Sequence, residues 1–288
     1  MRWKAFVGLM IVFALLIALP VFYHKGEATA DALPPSRDNS DATSFLGQNV
    51  RMIDLTHAFD EQTIFWPTEI PFHLERGFAG VTAGGWYYTA NRFSMAEHCG
   101  THIDAPIHFS KGAHTVDEIP LARLLGAAVV IDVVKECREN PDFLVTADVF
   151  QAWEKGHNHR LDETIVLVRT GFGPFWPDRA RYLGTTVAGT EAVANLHFPG
   201  VDPDAAAWLV AERRIKAIGI DTASIDRGQS KTFATHVALC AHNTPAFENV
   251  AQLEQLPDYG FSVVALPMKI RGGSGGPLRI VALVPAGK

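Results

Sequence analysis

His98-Cys99-Gly100-Thr101-His102-Ile103-Asp104-Ala105-Pro106-Ile107-His108-Phe109 carries three histidines and an aspartate, from His98 to His108, within eleven residues. Imidazole and carboxylate groups are common ligands of zinc and manganese. Spacing constrains the backbone that could bring them together. On a straight strand His98 and His102 would sit about 13 Å apart, at roughly 3.3 Å per residue. Two ligands of one ion must lie within about 4 Å of each other, given bonds near 2 Å. A helix would bring the pair together, but Gly100 and Pro106 oppose a helix here. The segment therefore reads as a tight turn around an ion, with Gly100 supplying backbone freedom. Pro106 holds Ala105 extended and so directs the chain toward His108. The chain has 12 histidines in 288 residues, and this clustering is not the pattern of isolated surface or core histidines. Cys99, inside the cluster, reads as a small residue facing away from the metal in preference to a thiolate ligand or nucleophile.

Outward from this segment the chain reads as one mixed α/β domain. Val50 to Leu55 looks like a first strand, and Trp86 to Met95, rich in β-branched and aromatic residues, like a strand leading into the cluster. Short apolar runs at Ala127–Val134, Thr164–Val168, Ile215–Ile220, Phe261–Leu266 and Leu278–Val284 fit buried strands. Between them lie three helix candidates. Thr146 caps the first, running to Lys155. Asp202-Pro203, a cap followed by a first-turn proline, starts a second that runs through Glu212. Glu248 to Leu256 is the third. No internal repeat and no second linker interrupt the order.

The N-terminus differs. Arg2 and Lys4 precede an uncharged stretch from Ala5 to Tyr23, and a small-residue run follows at Ala28-Thr29-Ala30. This pattern is either a secretory signal cleaved after Ala30 or an uncleaved membrane anchor, since about 20 apolar residues can span a bilayer. Positive charge on the N-terminal flank keeps that end inside, so both readings export the domain and the second tethers it to a membrane. Residues from about Gly26 to Gly47 are rich in Ala, Asp, Ser and Pro and read as a tether. The expected organisation is a signal or anchor at 1–30, a linker at 31–49 and the folded domain at 50–288. A net charge of −6 without long runs excludes an electrostatic case for nucleic acid. Three scattered cysteines, Cys99, Cys137 and Cys240, are too few for a disulfide framework.

The segment His98–His108 closely resembles the signature H-x-G-T-H-x-D-x-P-x-H of the cyclase family of metal hydrolases, which includes kynurenine formamidases and isatin hydrolases. Every fixed position is matched. Further matching stretches are Phe65-Trp66-Pro67, Val168-Arg169-Thr170-Gly171, Gly219-Ile220-Asp221-Thr222 with Ser224-Ile225-Asp226, and Gly272-Gly273-Ser274-Gly275. A distal histidine followed twelve residues later by a glutamate is present as His236 and Glu248.

The resemblance implies a single swivelling β/β/α-type domain and hydrolysis of amide C–N bonds. It implies His98, His102 and Asp104 as ligands of a first ion, Asp104 and Glu248 as bridges to a second, and His236 as a further ligand. It implies His108 as the acid/base residue and Trp66 as part of the substrate pocket. Zinc or manganese is implied, as one ion or two, with a small aromatic amide as substrate and a homo-oligomer as the assembly. Arylformamidase-like release of formate from an N-formyl aniline leads. Opening of a cyclic amide of the isatin type is the alternative, and a non-catalytic, surface-tethered metal-binding protein is the alternative from another class. The matched pattern assigns no role to His242, and His57, His73, His114, His157, His159 and His197 are left as structural or surface residues.

Overall fold

The computed structural model describes residues 42–45 and 47–286. The signal or anchor segment and most of the tether lie outside the described residues. Among the described residues no helix is long and apolar enough to cross a membrane.

Thirteen strands are present among the described residues. They are β1 (Ala42–Phe45), β2 (Gln48–Asp54), β3 (His73–Val81), β4 (Tyr87–Ser94), β5 (His102–Asp104), β6 (Leu125–Asp132) and β7 (Leu144–Val145), followed by β8 (Ile165–Arg169), β9 (Gly200–Val201), β10 (Ala217–Ile220), β11 (Ala246–Glu248), β12 (Tyr259–Pro267) and β13 (Gly275–Pro285). Seven short helices lie between them: α1 (Leu121–Leu124), α2 (Val134–Glu139), α3 (Ala147–His157), α4 (Arg179–Leu183), α5 (Thr190–Val193), α6 (Pro203–Trp208) and α7 (Ala234–Cys240). The nine-stranded main sheet runs β1-β2-β13-β12-β6-β8-β10-β11-β5, and β5 also pairs with the start of β13. That last pairing closes seven of the strands into a barrel. β6, β8, β10 and β11 are mutually parallel, and the remaining pairs of this sheet are antiparallel. The fold is mixed α/β.

Side chains of a strand alternate between its two faces, and here both faces are covered. On β8, Ile165 and Leu167 enter one core with Val130, Phe247, Val263 and Ile280. Val166 and Val168 enter a second core with Phe150 and Trp153 of α3 and Ala205 of α6. Double coverage is why these strands read as continuous apolar runs. Asp202 caps α6, accepting from Asp204 N at 2.9 Å and Ala205 N at 3.4 Å, as its sequence position predicts. The chain then continues as a π-helical turn over Leu209–Arg213.

Two expectations are corrected. Residues 248–256 are not a helix: Ala246–Glu248 is β11, held between β10 and β5, and only Leu253–Gln255 forms a 3-10 turn. Asn249 and Gln252 have positive φ, 54° and 56°, which a right-handed helix forbids. Pairing on both edges overrides the helix preference of the Glu-Ala-Gln-Leu composition. The C-terminal part of the tether is not free chain either. Ala42–Phe45 pairs antiparallel with Gln48–Arg51 around Gly47, whose φ of 76° makes the turn.

Candidate metal centre

The histidine segment becomes a turn, a short strand and a second turn. Gly100 has φ of 62°, and a Cβ there would lie 2.5 Å from the Phe59 ring. The turn folds His98 back, so that its ring centroid is 5.3 Å from that of His102. His102–Asp104 is β5, fixed by β11 on one side and β13 on the other. Ala105 is extended, with φ −78° and ψ 149°, as Pro106 requires. A 3-10 turn at Pro106–His108 then stacks the His108 ring on that of His98, centroids 3.9 Å apart. Glu248 ends β11 directly opposite His102, and α7 brings His236. The site lies where β11 ends and where the loop after β10 begins, the usual place for function in parallel α/β sheets.

Hydrogen bonds define which imidazole nitrogen faces the centre. His102 Nδ1 donates to the Gly100 carbonyl at 2.9 Å. Its Nε2 is buried with no hydrogen-bond partner, 3.3 Å from Asp104 Oδ1 and 3.4 Å from Glu248 Oε2. His236 Nδ1 meets Asp226 Oδ2 at 2.6 Å, and its Nε2 faces Asp104 Oδ2 at 3.0 Å and Glu248 Oε1 at 3.2 Å. His98 Nε2 meets Ser274 Oγ at 3.0 Å, and its Nδ1 faces Asp104 Oδ1 at 2.6 Å. Each of the three rings spends one nitrogen on an outer partner; the other faces both buried carboxylates in His102 and His236, and Asp104 alone in His98. Outer partners of this kind set ligand orientation in metal sites. The donor set, and the buried unpartnered Nε2 of His102, fit a divalent cation. Two groups have ligand atoms within 4.8 Å of one another: His98, Asp104 and His108, and His102, Asp104 and Glu248. They share Asp104, so the arrangement suits one ion or two.

Electrostatics agree. Burial favours the neutral acid at Asp104, but the imidazoles of His102, His236 and His98 around it hold its carboxyl well below the usual range. Burial, then the Asp104 charge, pushes Glu248 up. Burial works against charge on His102 and His236 too, yet Asp104 and the neighbouring carboxylates outweigh it and raise both. The cluster thus draws positive charge to itself. His108 behaves otherwise: burial, partly offset by Asp104, pushes its imidazole down to about 4. Among the described residues neither His108 nitrogen has a hydrogen-bond partner.

A cavity of about 230 Å³ opens over the cluster, with Trp66, Phe65, Phe109 and Phe233 among its walls. Trp66 stands edge-on to Phe233 in this wall, with ring centroids 6.1 Å apart. Cys99 is fully buried, its backbone bridged to Phe65. Burial pushes its thiol up to about 11, which favours the neutral thiol. All three cysteines are free. Sequence reasoning assigned nothing to Glu97, Asp226, Ser274, Phe109 or Phe233. Asp226 and Ser274 lie in stretches that match the family, whereas Glu97 carries no spacing signal.

A barrel rim bearing three outer-partnered histidines and two shared carboxylates defines a candidate divalent-metal centre. Residues 53–227 match the family model described as "Putative cyclase". The chain is 31% identical to the isatin hydrolase of Roseibium aggregatum over 85% of its own length and 91% of that protein's. It is 28% identical to the kynurenine formamidase of Bacillus mycoides, over 80% of this chain and 95% of the relative. The isatin hydrolase A structure from Labrenzia aggregata superposes with a TM-score of 0.73 at 33% identity, over 82% of this chain and 94% of that one. The chain belongs to the cyclase family.

Proposed function

We propose that the chain hydrolyses the C–N bond of a small aromatic amide at a divalent-metal centre. The arylformamidase-like reaction, N-formylkynurenine to kynurenine and formate, is the leading reading. One observation carries the proposal: His98, His102 and His236 are each locked by an outer partner with one nitrogen facing Asp104, and in His102 and His236 Glu248 as well, while His108 beside them is unbonded. His98, His102, Asp104, Glu248 and His236 would hold zinc or manganese, as one ion or two. A bound divalent ion supplies Lewis-acid polarisation of a carbonyl and lowers the pKa of water from about 15.7 toward 7. The chain's own residues supply the rest. Aromatic walls at Trp66, Phe109 and Phe233 hold a planar ring and exclude water. His108, with neither nitrogen committed, takes a proton from the attacking water and returns it to the departing nitrogen, which cannot leave as an amide anion.

Opening of a cyclic amide of the isatin type is the second reading, favoured by the likeness to two isatin hydrolases. Retention of His108 argues against a non-catalytic metal-binding protein. Metal analysis combined with turnover of N-formylkynurenine and of isatin tests the proposal. Formate release supports the first reading and ring opening without formate the second. Metal-replete protein that turns over neither refutes both.

The proposed assembly is a homo-oligomer built on the β3–β4 hairpin. A two-stranded hairpin is marginally stable by itself. This one exposes Phe78, Trp86, Tyr87, Tyr88 and Phe93, each by more than half. At about 200 Å² per whole aromatic side chain they present roughly 600 Å², close to the roughly 800 Å² each partner contributes to a stable interface. A second copy is the partner always present in equal amount. The basic-then-apolar N-terminus supports work outside the cytoplasm, which cell fractionation tests.

A further inference from the structure

We infer that Ser274 and Glu97 form a relay that selects the tautomer of His98, and with it the nitrogen that His98 offers to a metal ion. The inference rests on the metal-centre reading above.

Ser274 Oγ lies 2.6 Å from Glu97 Oε2 and 3.0 Å from His98 Nε2. A carboxylate only accepts, and a serine hydroxyl has one proton to give. That proton goes to Glu97, which also accepts from Ser274 N at 2.9 Å. The remaining lone pairs of Ser274 Oγ face His98 Nε2, so Nε2 must carry the hydrogen. The neutral ring is then left with a bare Nδ1, and this is the nitrogen 2.6 Å from Asp104 Oδ1. Two lone pairs at that distance repel unless positive charge lies beside them, which is the position a cation takes.

The surrounding chain is built to hold the relay. Ser274 O accepts from Ala105 N at 2.9 Å, and Gly273 O from Val116 N at 2.9 Å. The serine is thereby tied to the backbone that leaves Asp104. The flanking glycines clear space for its two partners. A Cβ on Gly273 would lie 2.9 Å from Glu97 Oε1, and a Cβ on Gly275 would lie 2.6 Å from both His98 Cε1 and the Ile103 carbonyl. The Gly-Ser-Gly stretch at 273–275 is explained by the residues it touches. Ser274 and Glu97 are positioning residues: they act through His98.

The test uses the full-length protein and variants Ser274→Ala, Glu97→Gln, the double variant and His102→Ala. Zn²⁺ and Mn²⁺ affinities are measured by competition with a chelator, beside thermal unfolding of the metal-free forms. Histidine side-chain ¹⁵N spectra of the zinc-loaded forms report the tautomer. Each single variant is expected to bind metal about 10-fold to 100-fold more weakly, the usual effect of losing an outer partner. The double variant should bind no more weakly than the worse single variant, because one relay is broken once. The His98 signal should change from a single Nε2–H tautomer to a mixture, with metal-free unfolding little changed. Wild-type affinity and an unchanged His98 tautomer in both single variants overturn the relay, as do fully additive losses. His102→Ala separates the two levels. If it also binds normally, the metal-centre reading itself is wrong; if it alone loses metal, only the relay falls.

Discussion

His57 offers a sharp test of the packing beside the site. Its ring stacks on Trp176, centroids 4.2 Å apart and 6° from parallel, and its Nε2 is buried without a partner. Burial, partly offset by the nearby Asp54 charge, pushes the imidazole from 6.5 down to about 4. The folded pKa is therefore below the unfolded one, and the unfolded chain binds the extra proton first. Stability from this group is complete above pH 6.5 and is lost as pH falls toward 4. The full separation corresponds to about 3 kcal/mol, and at pH 5 the loss is about 2 kcal/mol. His57→Phe keeps a ring for the stack and removes the titrating group. Urea unfolding of chelator-treated wild type and variant, at pH 7.5 and pH 5.0, measures the effect. Other titrating groups cancel in the double difference. The variant should lose about 2 kcal/mol less than wild type on acidification. Equal losses in the two proteins would show that His57 is not held neutral by burial.

Three further outcomes follow from the geometry. His108→Ala should keep its metal and lose turnover by about 100-fold to 10,000-fold, whereas His102→Ala loses both; a metal-to-protein ratio measured beside the rate decides, and metal loss in His108→Ala as complete as in His102→Ala makes His108 a ligand. Gly275→Ala drives a methyl against His98 and the Ile103 carbonyl, so a loss of about 1–3 kcal/mol in stability, with weaker metal binding, is expected in thermal unfolding and chelator competition. Replacing Trp86, Tyr87 and Tyr88 together with serine should lower the mass measured by light scattering to that of one chain, and an unchanged mass removes the hairpin from the interface.

Much of this molecule is legible locally. The spacing of His98, His102, Asp104 and His108 demands a turn at Gly100, and the turn is there with positive φ. Asp202-Pro203 starts a helix because cap and proline act within one turn. The runs at 127–134 and 164–168 become strands because both their faces are covered. Local preference misleads where long-range pairing competes with it. The sequence around Glu248 suits a helix, but β10 and β5 claim its backbone on both edges.

By itself the sequence determined the ligand types, their order and the turn that lets two of them meet, since these depend on residues only a few positions apart. Family resemblance added His236 and Glu248, but no spacing rule places residues so distant in the chain at one point. Only the tertiary structure decided that Asp104 Oδ2 and His236 Nε2 lie 3.0 Å apart across 132 positions. It likewise decided that Ser274 Oγ reaches His98 Nε2 across 176 positions. The physical reason is barrel closure: β5 pairs with both β11 and β13, and three remote stretches of chain are thereby brought to one rim.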